Sequence, residues 1–203
     1  MATTLTQPKT GTTTWNIDAA HTTVEFVAKH MMITNVRGRF PDVAGTIRFD
    51  ERNILNSSVE ATIQVATINT GSEQRDNHLR SGDFFLVEQY PTITFKSKRI
   101  EPKGGDEYRI IGDITIRGIT REVALDATFE GRGVSPWGAE VISFFAKTTI
   151  NRKDFNLNWN VALEAGGVLV GDNIRIELNV QATRNTEQAE IEAEAEAGTS
   201  AIA

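Results

Sequence analysis

Apolar and polar residues alternate with a period of two along most of this chain, and that alternation constrains its fold more than any other feature. "TTVEFVAKH" (22–30) puts Val24, Phe26, Ala28 and His30 on one face, with Glu25 and Lys29 on the other. Ile47 and Phe49 oppose Arg48 and Asp50. Val59, Ala61, Ile63 and Val65 oppose Glu60, Thr62 and Gln64. The pattern returns with Ile93 and Phe95, then with Tyr108, Ile110, Ile114 and Ile116, and then with Val123, Leu125 and Phe129. It closes with Ile142, Phe144, Ala146 and Ile150, and with Ile174, Ile176, Leu178 and Val180. Each segment reads as a strand with one buried face. The glycines of Lys103–Asp106 mark a hairpin turn between two of them.

About eight such segments occur, without the strand–helix rhythm of a parallel sheet, so the expected fold is all-β and antiparallel. A sheet of this size buries its apolar face by closing into a barrel or folding into a sandwich. The charged residues fall on the opposite face, the reverse of an outer-membrane barrel. An eight-stranded barrel is just wide enough to be filled by its own side chains or to hold one small ligand. The pattern alone leaves both open.

With 203 residues, 39% of them hydrophobic, the chain suits one domain with a full core. It has no cysteine, hence no disulfide framework and no thiolate site. The net charge of −6 comes mostly from one end: Asn185–Ala203 holds five glutamates and no lysine or arginine. Taking those five from the 27 acidic residues leaves 22 against 21 basic ones. The folded part is therefore nearly neutral and shows no nucleic-acid footprint. The expected organisation is a flexible segment over 1–13, a barrel over 14–184 and a disordered acidic tail over 185–203. The first residues contain no apolar stretch of secretory type, and no run approaches the ~20 apolar residues of a membrane helix. The expected location is the cytoplasm.

"RDNHLRSGDFF" (75–85) breaks the alternation. Thr70-Gly-Ser-Glu73 fits a capping box, predicting a short helix near Ser72–Arg80 that Gly82 ends. Arg75, Asp76 and His78, with His21 and His30, form a candidate catalytic group. No nucleophile motif accompanies them, and no histidine pair has metal-ligand spacing. The other reading makes the segment a plug, with Leu79, Phe84 and Phe85 closing one barrel end. His30 shares the parity of Phe26, so it faces inward as a core residue or a head-group contact. Arg152 and Asp154 in "NRKDF" read as a turn network, and Trp15, Trp137 and Trp159 as rim or core packing.

Four segments carry a resemblance. "IDAAHTTVEFVAKHM" resembles the opening "IDxxHSxVxFxVxH" of the YceI-like, polyisoprenoid-binding proteins. "INTGSEQRDNHLRSGDFFLVEQYPTITFKSK" resembles their central signature, a "T…RD-HL-S-DFF" helix before "YPxIxFxS". "GDITIRGITREVAL" and "WGAEVISFFAKTTINRKDF" resemble two later ones. In the last, Asn156 stands where the family often has glycine, and Asn tolerates the left-handed conformation.

The resemblance implies a lipocalin-like, extended eight-stranded barrel around an apolar tunnel. It implies a non-enzymatic role in binding, transporting or storing a polyprenol, polyprenyl phosphate or prenylated quinone. That lipid would be the only bound group, with no cofactor and no metal, and the protein is expected to be a homodimer. Val24, Phe26, Ala28, Phe49, Ile63, Phe84, Phe95, Ile114, Phe129, Phe144 and Trp159 are the expected tunnel lining. His21, His30, Arg75 and His78 are the expected head-group or mouth residues. The competing expectation is a small-molecule enzyme on the same barrel, using the His/Arg/Asp cluster.

Overall fold

A computed structural model describes residues 11–164 and 166–185. Ten strands form one antiparallel sheet: β1 (Thr12–Ile17), β2 (Thr23–His30), β3 (Thr34–Arg39), β4 (Val43–Asp50), β5 (Ser58–Gln64), β6 (Thr92–Gly104), β7 (Glu107–Ile116), β8 (Ile119–Val134), β9 (Glu140–Asn151) and β10 (Val170–Arg184). The order β1-β4-β5-β6-β7-β8-β9-β10 closes because β10 also pairs with β1, Trp15 opposite Arg184. This is the closed eight-stranded antiparallel barrel that the alternation and the resemblance predict. Closure leaves those eight strands without a free edge.

The β2–β3 hairpin flanks this ring. Residues Val170–Asn179 of β10 pair with β2, while the last residues of β10 pair with β1. β1 and β3 were not among the eight segments expected from the alternation. β1 is mostly threonine and asparagine, yet Thr13 and Trp15 are buried. The barrel therefore begins at Thr12, two residues inside the segment expected to be loose. The acidic tail from Thr186 lies outside the described residues, and Asn185 donates its N–H to the Thr14 carbonyl.

Bulges in the long strands alter the parity. β6 shifts register between Ser97 and Arg99, so Ile93, Phe95 and then Ile100 all turn inward. β8 shifts between Phe129 and Gly131. Bulges of this kind bend long strands around a barrel.

The short helix is present as α1 (Glu73–Arg80), but its cap differs from the expected box. Ser72 is the N-cap residue, without a side-chain bond to the helix. Asp76, buried in the first turn, instead accepts from the Thr70 backbone N–H at 2.9 Å and from its hydroxyl at 2.5 Å. The helix ends on Ser81 in extended conformation, so Gly82 is not its stop. Arg80 donates to the carbonyls of Ala66 and Ile68, tying α1 to the preceding loop.

Candidate functional site

The inward side chains do not fill the barrel. They enclose a continuous apolar cavity of about 260 Å³. At liquid density, ~30 Å³ per molecule, that space would take roughly nine waters. Its middle is ringed by Phe26, Phe95, Ile114, Leu125, Phe144 and Ile176, contributed by six different strands. Period-two alternation turns the five residues of the closed ring inward, and Phe26 reaches the same space from the flanking β2.

Glycines opposite the large rings make room for them. A Cβ on Gly38 would come within 2.3 Å of the Phe26 ring, and one on Gly112 within 2.6 Å of the Phe95 ring. Each ring lies on bare backbone of the neighbouring strand, which leaves open the axial space that a larger partner would push it into.

The two ends differ. At one end Leu79 of α1, with Phe84 and Phe85 after it, closes the cavity beside Leu157 and Ile150. Phe84 packs on Trp159 with ring centroids 5.4 Å apart, and Val65, Ile68 and Phe155 complete a dry cluster behind it. The segment that breaks the alternation is therefore a plug. At the other end the lining includes Ile54, Ser57 and Ser58 before and at the start of β5, with Ile100 and Tyr108 near the β6–β7 hairpin. Hydroxyl-bearing side chains thus meet the cavity at this end.

Arg152 is the charged group most deeply committed to the cavity wall, only 3% exposed. It donates to the carbonyls of Gly171 at 3.1 Å, Trp159 at 2.9 Å and Leu157, and to Asp172 at 3.3 Å. Desolvation pulls its pKa down, and Asp172 opposes that pull. With its donors spent on backbone carbonyls, Arg152 holds the 152–171 connection together, the role expected of the turn network. Asp154 is exposed and takes no part in it. Asn156 adopts the left-handed conformation at φ 59°, as its place in the family's glycine position predicts.

Nine of the eleven expected lining residues face the cavity: Val24, Phe26, Ala28, Phe49, Ile63, Phe84, Phe95, Ile114 and Phe144. Phe129 does not. Its ring stacks at 5.4 Å from Phe49 and 5.2 Å from Phe144, in a packed cluster next to the β8 bulge. Trp159 sits behind Phe84, 4.6 Å from the His78 ring. Ile110 and Leu178, on the apolar parity of their strands, line the space too, whereas Phe40, Ser57 and Ser58 line it without any signal in the alternation.

None of the four expected head-group residues lines the cavity. His21 is exposed and bonds Asp18 at 2.7 Å, which, as the largest influence, holds the Asp18 carboxyl below its ordinary value. His78 bonds Asp83 at 2.9 Å outside the plug. Arg75 is exposed and spends its donors on Thr70. His30 ends β2, opposite Thr34 and Val170. The ionisable groups behind the enzymatic expectation are thus scattered around the barrel rather than gathered at one point. Among the described residues no three His, Asp or Glu side chains cluster as a metal site, and no helix is long and apolar enough to cross a membrane.

The comparisons with known proteins agree with this architecture. A UPF0312 protein of Staphylococcus aureus (strain N315) is 37% identical over 170 residues, covering 83% of this chain and 96% of its own. The crystal structure of Burkholderia cenocepacia BcnA superposes with a TM-score of 0.71 at 26% identity, covering 81% of this chain and 98% of its own. A polyisoprenoid-binding domain from Saccharophagus degradans shares the fold, with a TM-score of 0.65 at 14% identity, covering 84% of this chain and 98% of its own. The family model for the YceI-like domain matches residues 15–182, nearly the whole barrel, and the chain belongs to that family.

Proposed function

We propose that the barrel binds the apolar chain of a long isoprenoid lipid, such as a polyprenol, polyprenyl phosphate or prenylated quinone, and carries or stores it without chemical change. The observation that carries this reading is the cavity, an apolar space walled by inward aromatic and aliphatic side chains. Family membership supports it, as does a fold neighbour described as a polyisoprenoid-binding domain.

The energetics suit a polyprenyl chain. At ~0.8 kcal/mol per buried carbon, an isoprene unit contributes about 4 kcal/mol. Two units, about as many carbons as the waters that space would take, give ~8 kcal/mol before an association cost of ~4 kcal/mol or more, so micromolar affinity requires burial of further units beyond that space. The hydroxyls of Ser57, Ser58 and Tyr108 would receive the polar end, since a buried polar group needs partners.

The test is organic extraction of freshly purified protein followed by mass spectrometry, with a thermal shift on adding polyprenol or ubiquinone. A co-purified isoprenoid or a rise in melting temperature is the expected result. Protein that holds no lipid and ignores both additives would remove the proposal.

A further inference from the structure

The tip of the β2–β3 hairpin is apolar and exposed. Met31, Met32 and Ile33 are 43%, 53% and 76% exposed, and Met31 and Met32 hold positive φ of 51° and 63°. These two non-glycine residues in left-handed backbone make a tight turn that leaves the three side chains exposed, with Met32 beside Gly167 of the adjoining loop. Val161 extends the patch at 45% exposed. The segments are tied by backbone bonds from the Met31 N–H to Leu169 and from the Leu169 N–H to Val161.

Cations sit just behind this tip on the outer face. Lys29 lies opposite Asn35, and Arg37 and Arg175 flank Val27 in register. All three are exposed, and none forms an ion pair with a described carboxylate. From Lys29 to Arg39 the chain carries three cations and no acid. Arg39 faces Glu25, and the adjoining loop adds one exposed carboxylate, Glu164. At ~3.3 Å per residue, Lys29 lies about 7 Å behind Met31 and the two arginines about 13 Å. An apolar wedge backed by unpaired cations at that depth matches the acyl and head-group layers of an anionic membrane.

We infer that the β2–β3 tip docks the protein on anionic lipid bilayers, with Met31, Met32 and Ile33 inserted and Lys29, Arg37 and Arg175 at the phosphate level. The hairpin's other face carries Phe26 and Ala28, which line the cavity, so docking sets that end of the barrel against the bilayer. The inference does not depend on which molecule occupies the cavity. Lipid extraction run in parallel separates failure of one from failure of the other.

The experiment is cosedimentation of the full chain with vesicles of phosphatidylcholine containing 30% phosphatidylglycerol, and with phosphatidylcholine alone. Binding is expected to the anionic vesicles, weakening in 0.5 M salt. Met32→Asn with Ile33→Asn should lower it at least tenfold, asparagine being chosen because it accepts positive φ. Each of Lys29→Gln, Arg37→Gln and Arg175→Gln should lower it roughly fivefold. Trp137, 89% exposed on the β8–β9 turn at the far end, is the control, and Trp137→Ala should leave binding unchanged. The inference is overturned if the native chain ignores anionic vesicles, if the tip variant binds as well as the native chain, or if the loss follows Trp137 instead. A tip variant that splits an oligomer while no vesicle binding is seen would make the tip an interface between copies, which also overturns it.

Discussion

Ala28→Trp separates a ligand cavity from a filled core. Ala28 lies in register with Val36 on one side and Ile174 on the other, and its methyl group faces the cavity. Tryptophan adds about nine heavy atoms, close to the carbon count of two isoprene units. If those atoms take the ligand's place, ~7 kcal/mol of transfer energy is lost as an upper bound, at ~0.8 kcal/mol per carbon. Half of that is still about 300-fold in affinity. A cavity of about 260 Å³ gives the indole somewhere to go. The variant should therefore escape the ~1–3 kcal/mol of overpacking a filled core would incur, and its melting temperature should move by no more than a few degrees. The assay pairs a thermal melt with quantitative lipid extraction. A folded variant that purifies empty is the expected outcome. A folded variant with a full lipid load, or one that no longer folds, would refute the placement of Ala28 on an open cavity.

Other substitutions probe the same wall. Phe144 meets Phe49 edge-to-face and Phe129 at a tilt, with its remaining surface toward the cavity, so Phe144→Ala should cost ~1–3 kcal/mol in urea titration, below the ~3–5 of a fully packed site. Arg152→Leu orphans the carbonyls of Leu157, Trp159 and Gly171 and should cost about 3–5 kcal/mol, read by the same titration. Asp172 is held below the ordinary carboxylate value, first by the hydrogen bond from Lys153. A depressed folded pKa gives stability that is complete above the unfolded value and lost as pH falls through the folded one. The stability difference between native protein and Asp172→Asn should thus be flat above about pH 5 and shrink below pH 4, measured by denaturant midpoints.

The barrel was legible because a closed sheet imposes one rule on every strand, and Phe26, Phe49, Phe95 and Phe144 all obey it. The reading failed where that rule is locally suspended. β1 has the right period but spends it on threonines, and only Trp15 and Ile17 carry a hydrophobic signal. The Lys98 region sits in a bulge that shifts the parity, which is why Ile100 lines the cavity unannounced, whereas Phe129 keeps its parity, opposite Phe144, and is covered by Phe49 and Phe144. The Thr70 capping box looked right at the level of spacing, yet Asp76 reached Thr70 from within the helix. The histidines stand out in sequence only because they are rare and ionisable, and rarity carries no information about where the chain brings them.

Whether the barrel carries an isoprenoid is read by native mass spectrometry of the full chain, which weighs the subunit and anything held in its barrel together. The expected spectrum shows a population heavier than the bare chain by the mass of an isoprenoid, converting to the bare mass when Ala28→Trp is introduced. A native spectrum at bare chain mass, unchanged after incubation with polyprenol or ubiquinone, would contradict it.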